Sequence, residues 1–195
     1  MKKLPRVSLF TFFVTAAVAL AADSIPALQG AFVIDPAQTK VEFTLWDVLH
    51  TVHGTFALKR GNIHFDPVGG AASGELVVDA ASGDSGSEAR DKRMHANILE
   101  SSRYPDIVLR PDHVIGKIAA QGTSQVQLHG MFYIHGAGHE VTLPVTVDAQ
   151  DSEYRATATF SVPYVKWGMK NPSTLILRVK DTVEITIHTV AHLGS

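Results

Sequence analysis

Residues 126–147 read VQLHGMFYIHGAGHEVTLPVTV, and this stretch decides the fold. Val126, Leu128, Gly130, Phe132 and Ile134 alternate with Gln127, His129, Met131 and Tyr133. Beyond Gly136-Ala137-Gly138 the same period returns in Val141, Leu143, Val145 and Val147. A period of two places one set of side chains on one face of a strand. Two such runs across a short glycine-rich break make an antiparallel hairpin, for which a three-residue loop at 136–138 is expected.

Working outward, Val41, Phe43 and Leu45 alternate with polar residues, as do Ala156 to Val162 and Val183 to Ile187. Turn signals such as Lys59-Arg60-Gly61-Asn62, Pro67-Val68-Gly69-Gly70 and Gln150-Asp151-Ser152 separate the runs. Strands are expected near 30–34, 39–46, 52–58, 61–66, 73–79, 106–116, 123–135, 139–149, 154–162 and 174–189. Connections this short exclude parallel crossovers, so the fold class is all-β: an antiparallel barrel of about eight strands. One segment differs. Ser85-Gly86-Ser87-Glu88 resembles a capping box ahead of Ala89 to Glu100, which holds no Pro or Gly. A single short amphipathic helix is expected there, closing one end of the barrel, with Glu88 paired to Lys92 and Asp91 accepting from His95.

At the N-terminus, Lys2, Lys3 and Arg6 precede the uncharged run Leu9 to Leu20, and Ala19-Leu20-Ala21 offers small residues at the signal-peptidase positions. Residues 1–21 therefore read as a signal peptide and 22–195 as one domain. The apolar run is too short to span a bilayer, so stable membrane insertion is not expected. Removing three of the 17 basic residues leaves 14 against 19 acidic ones, a formal charge of −5 that argues against nucleic-acid partners. With no cysteine, disulfides, thiolate-held clusters and covalent haem are excluded. These features suit a bacterial periplasmic or secreted protein.

The ten histidines raise a metal hypothesis. His50 and His53 have odd spacing, which sends them to opposite faces of a strand, so they could share a metal only if the chain bends at Leu49 to Thr51. His135 and His139 come opposite each other across a three-residue loop, but two imidazoles need a third ligand such as Glu140. No Gly-x-Ser-x-Gly elbow, His-Glu-x-x-His or phosphate loop occurs, and neither an enzyme nor a cofactor is expected. Arg90 reads either as a structural partner of Asp91 or as a contact for an anionic head group. The stretch Pro163 to Pro172 breaks the alternation. Its Tyr164, Lys166 and Trp167 either line an entrance or fold down to plug the core.

The ordered pieces Val41 to Phe43, Val52-His53-Gly54-Thr55-Phe56, Gly61 to Asp66, Arg90-Asp91, Met94-His95, Tyr104-Pro105, His129-Gly130, Ile134-His135-Gly136 and Val141 to Val145 resemble the YceI-like family of polyisoprenoid-binding periplasmic proteins. The resemblance implies an extended lipocalin-like barrel whose pore holds a long isoprenoid without catalytic residues. Where the family has Arg-x-Asp-Phe-Gly before its last strand, this chain has Tyr164-Val165-Lys166-Trp167-Gly168, and only the glycine matches.

On that reading, strand parity nominates Phe43, Leu45, Phe56, Leu128, Phe132, Val145 and Phe160 as pore lining. Arg90, Met94, Tyr164, Lys166 and Trp167 stand at the ends. The expected partner is a long-chain isoprenoid or other apolar lipid, and an exposed edge strand allows a homodimer. The same hydrophobic pattern also fits a filled barrel that acts through its surface, or a metal-binding protein built on His135 and His139.

Overall fold

The computed structural model describes residues 30–175 and 178–194. The expected signal peptide lies outside these residues. Ten strand segments form one antiparallel sheet: β1 (Gly30–Ile34), β2 (Lys40–Trp46), β3 (Thr51–Phe56), β4 (Leu58–Phe65), β5 (Ala72–Asp79), β6 (Asp106–Ile115), β7 (Gly122–Ile134), β8 (Ala137–Gln150), β9 (Glu153–Val162) and β10 (Val183–Gly194).

The ten segments make eight barrel strands. β1 and β2 are halves of one strand, broken by a 3-10 turn at Pro36–Gln38 that Asp35 caps by accepting from the Ala37 N–H at 2.8 Å. β3 and β4 are likewise halves that meet at Ala57. β1 pairs with β4 and β2 with β3, while β10 takes β2 along its first half and β1 along its second. That last pairing closes the barrel.

Three details differ from expectation. The β7–β8 turn has two residues, since Ile134 pairs with Ala137. His135 (φ 51°) and Gly136 (φ 76°) both take the left-handed conformation that a tight hairpin matching strand twist requires. His139 therefore faces Phe132, and His135 sits in the turn itself. The last strand begins at Val183 and runs to Gly194, because the chain from Pro163 onward is spent on a loop.

The helix is the third. α1 covers Glu88–Arg93, and a π-helical turn, Met94–Ile98, follows. The expected capping box does not form: the helix starts at Glu88 with Ser87 at its N-cap, whose side chain caps nothing, and the Ser85 hydroxyl goes elsewhere. Asp91 instead accepts from the Ser85 N–H at 2.9 Å and the Ser85 hydroxyl at 2.5 Å. His95 meets the Gly83 carbonyl through Nε2 at 2.9 Å rather than Asp91, and Glu88 and Lys92 form no ion pair.

The insertion between β5 and β6 that carries α1 also covers the free edge of β3. Thr55 and Asp84 exchange backbone hydrogen bonds of 2.8 and 3.0 Å, so the edge is paired. β8 and β9 pair only from Val145↔Ala158 to Gln150↔Glu153. The ladder stops beside Pro144, whose nitrogen has no proton for a strand bond. Beyond that point β8 and β9 diverge.

Candidate functional site

The barrel is filled at one end and hollow at the other. Phe32, Phe65, Val114, Val126, Ala149 and Tyr154 belong to the buried cluster and close the end that holds the β4–β5 and β8–β9 turns. Phe32 and Tyr154 meet edge to face with centroids 4.9 Å apart. Toward the β2–β3 turn a cavity of about 480 Å³ opens, within the roughly 300–1,000 Å³ that small-molecule sites occupy.

Strand parity builds its walls. Val41, Phe43 and Leu45 project inward from β2, Val183, Ile185 and Ile187 from β10, and Phe132 and Ile134 from β7. Val52 and Phe56 on β3 complete the arc, with the Phe43 and Phe56 rings 5.4 Å apart. Gly54 lies opposite Phe43. A Cβ there would stand 2.3 Å from the Phe43 ring and 2.4 Å from the Asp84 carbonyl. Glycine is therefore what lets this ring lie across β3 while the strand edge meets Asp84.

The π-helical turn supplies the next wall. Met94, Ile98 and Leu99 all line the cavity, and the wider turn bonds Leu99 N–H to the Met94 carbonyl at 2.9 Å. The turn ends at Glu100 in the left-handed region (φ 47°), with Ser101 N–H on the His95 carbonyl at 3.0 Å. Tyr104 then packs its ring on the Gly136 backbone and on the His135 ring at 4.8 Å. Glycine suits position 136 twice, through its positive φ and through this contact.

At the open end the lining turns polar. The Arg90 guanidinium donates to the Ser85 hydroxyl at 2.7 Å and to the Ser85 carbonyl at 2.9 Å. The Ser85 hydroxyl in turn donates a hydrogen bond to the Asp91 carboxylate. Burial pushes the Asp91 carboxyl up, but the Ser85 bonds outweigh it and hold it below the usual range. Arg93 and Asp47 join the rim. Asp47 accepts from the Leu49 and His50 N–H groups, both at 2.7 Å, and those bonds lower its pKa.

The segment after β9 forms the last wall. Tyr164 and Met169 are buried and line the cavity. The Tyr164 hydroxyl donates to the Lys180 carbonyl at 2.7 Å, and burial, aided by the Asp181 charge, pushes its pKa up to about 12. Trp167 does not line the cavity but packs against β7 and β8. It stacks on His139 and reaches Phe132, with ring centroids 5.8 Å apart. The stretch thus forms wall through Tyr164 and Met169 and packs Trp167 on the barrel's own rings.

Of the twelve residues nominated from sequence, the cavity gathers seven: Phe43, Leu45, Phe56, Arg90, Met94, Phe132 and Tyr164. Phe160 and Trp167 stand behind Phe132 as ring contacts rather than at the cavity surface. Leu128 and Val145 pack partly buried against the filled core, and Lys166 is exposed. Sequence reasoning passed over Val183, Ile185 and Ile187, although their alternation was plain. Arg93 and Met169 carry no periodic signal.

The histidines are dispersed. His135 Nε2 lies 3.4 Å from a Glu100 carboxylate oxygen, and His53 meets Thr44 at 3.1 Å. Among the described residues no group of three or more His, Asp or Glu side chains is placed to hold a metal ion.

A YceI-like domain model matches residues 32–191, from within β1 to within β10. The chain belongs to the YceI-like family. No curated protein sequence matches it. Among solved structures, this YceI-like barrel is similar to Burkholderia cenocepacia BcnA, with TM-score 0.66 and 22% identity over 81% of this chain and 99% of that one. It is also similar to a polyisoprenoid binding domain from Saccharophagus degradans implicated in plant cell wall breakdown (TM-score 0.67, 14% identity, 85% of this chain and 100% of that one). A Campylobacter jejuni YCEI protein aligns at TM-score 0.54 and 13% identity over 98% of this chain and 100% of that one. At these identities the likeness is one of fold. The quoted pieces of sequence now have physical roles: Gly54 under Phe43, the Arg90–Ser85–Asp91 chain, and Tyr104 on Gly136.

Proposed function

We propose that this YceI-like barrel binds a long-chain isoprenoid or similar lipid non-covalently, outside the cytoplasm of a bacterium. The observation that carries the proposal is the cavity, apolar along its walls and polar only at its open rim. The family and the polyisoprenoid binding domain of like fold support the same reading. Roughly ten buried carbons contribute about 8 kcal/mol, comparable with the cost of about 4–15 kcal/mol for immobilising a ligand. Rim contacts therefore decide affinity. Arg90 and Arg93 suit a phosphate or other anionic head, because guanidinium pairs its donors with such oxygens.

The Ser85 hydroxyl at the rim is engaged by both Asp91 and Arg90, and the proposed role is binding rather than catalysis. The N-terminal stretch supports export with cleavage after Ala21. The test is retention of a tritiated polyprenol through gel filtration. Wild type is expected to carry it near one per chain, and Ile185→Trp, which places an indole in the cavity, to lose it. Equal retention by both would overturn the proposal.

A further inference from the structure

Three of the four most exposed large apolar side chains among the described residues are Leu175 (98%), Val48 (67%) and Leu49 (67%). All three stand at the open end of the cavity. Val48 and Leu49 occupy the β2–β3 turn, directly after the rim residue Asp47. Leu175 lies on the segment between Pro172 and Val179, both lining residues.

The two tips are tied together and held in shape. The Val48 N–H donates to the Arg178 carbonyl at 3.1 Å, and the Lys180 N–H donates to the Trp46 carbonyl at 2.9 Å. The Asp47 carboxylate fixes the β2–β3 turn from beneath. Asn171 and Ser173 pin the second segment, donating to the Val179 carbonyl at 3.1 and 3.4 Å, and the Ser173 hydroxyl accepts from the Val179 N–H at 2.9 Å. Hydrogen bonds thus hold aliphatic side chains out in water, where they gain nothing for the fold.

Basic residues outnumber acidic ones around them. On α1 and on the segment from Lys170 to Thr182, the exposed basic residues are Arg90, Lys92, Arg93, Lys170, Arg178 and Lys180, against the exposed acids Glu88 and Asp181. The chain as a whole is net acidic, so this basic end is local.

We propose that the open end of the barrel is a docking rim for an anionic lipid bilayer, with Val48, Leu49 and Leu175 dipping into the interface while the surrounding cations meet head groups. Apolar tips within a basic collar are the chemistry of reversible interfacial binding. The orientation places the cavity mouth against the membrane, where a lipid passes in or out without crossing water. This purpose rests on the carrier reading, whereas the docking itself is measured independently of it.

The test is co-sedimentation of the exported protein, its N-terminus determined by mass spectrometry, with vesicles containing phosphatidylglycerol or with phosphatidylcholine alone. Binding is expected to the anionic vesicles, weakening as salt rises. Leu175→Asp and Leu49→Asp, both at exposed positions, are expected to lower it by about tenfold or more, and Arg178→Gln by about fivefold. Ile185→Trp is expected to dock like wild type whatever it does to lipid retention, which separates the two proposals. Rim variants that bind as wild type does, or no preference for anionic vesicles, would overturn docking. So would a dimer in solution that Leu175→Asp dissociates, since the rim would then belong to a second copy.

Discussion

The indole of Trp167 lies flat on the imidazole of His139, with ring centroids 4.0 Å apart and planes within 5°. The stack ties the segment after β9 to β8, beyond the point where the β8–β9 ladder stops. His139 Nε2 is buried there with no hydrogen-bond partner, and burial lowers the ring's pKa.

A histidine with a depressed folded pKa favours the fold while neutral. Its contribution is present above the ordinary value of 6.5 and is lost as pH falls through the folded value. Acid is therefore expected to loosen the stack, seen as a change in tryptophan emission that follows a single titration below pH 6.5. In His139→Gln that titration should vanish. Trp167→Leu should cost about 1 kcal/mol from the lost ring pair, read by urea unfolding.

The opposite sign is expected at His129. Its Nδ1 lies 2.6 Å from Asp112 and its Nε2 3.1 Å from Glu140, and these carboxylates raise its pKa. A raised folded pKa stabilises fully below the ordinary value of 6.5 and loses its effect as pH rises through the folded value. The Tm gap between wild type and His129→Gln should be widest in acid and shrink above neutrality. A gap constant with pH would refute the clamp.

Gly54→Ala should destabilise the cavity end, because its methyl group meets both the Phe43 ring and the Asp84 carbonyl. Relief requires Phe43 to swing into the cavity or the Thr55–Asp84 bonds to break. A drop of about 1–3 kcal/mol is expected, with faster amide exchange at Thr55 marking the second route.

Filled and hollow halves should answer mutation differently. Leu143→Ala removes a buried core side chain and should cost about 2–5 kcal/mol. Ile185→Trp adds volume beside empty space and should leave Tm near that of wild type. A large loss for Ile185→Trp would mean the hollow half is not there.

Much of the barrel was legible because period-two alternation states which side chains face inward, and parity sent Phe43, Leu45, Phe56 and Phe132 to the cavity. Parity has no term for depth along the barrel. Leu128 and Val145 face inward as required, yet lie toward the filled half. The β7–β8 turn was misjudged because glycines at 136 and 138 suggested a longer loop, whereas His135 itself takes a positive φ. The wall built from Tyr164 and Met169, and the Ser85 bridge between Arg90 and Asp91, depend on contacts between segments that no local pattern encodes.

The central claim, that the apolar cavity holds a lipid, is tested most directly by native mass spectrometry of protein released gently from its own cells, followed by denaturing extraction and lipid analysis. The expected result is a chain carrying one long isoprenoid or similar lipid, absent from Ile185→Trp prepared in parallel. Bare protein that stays bare after incubation with polyprenol and polyprenyl phosphate would contradict the account.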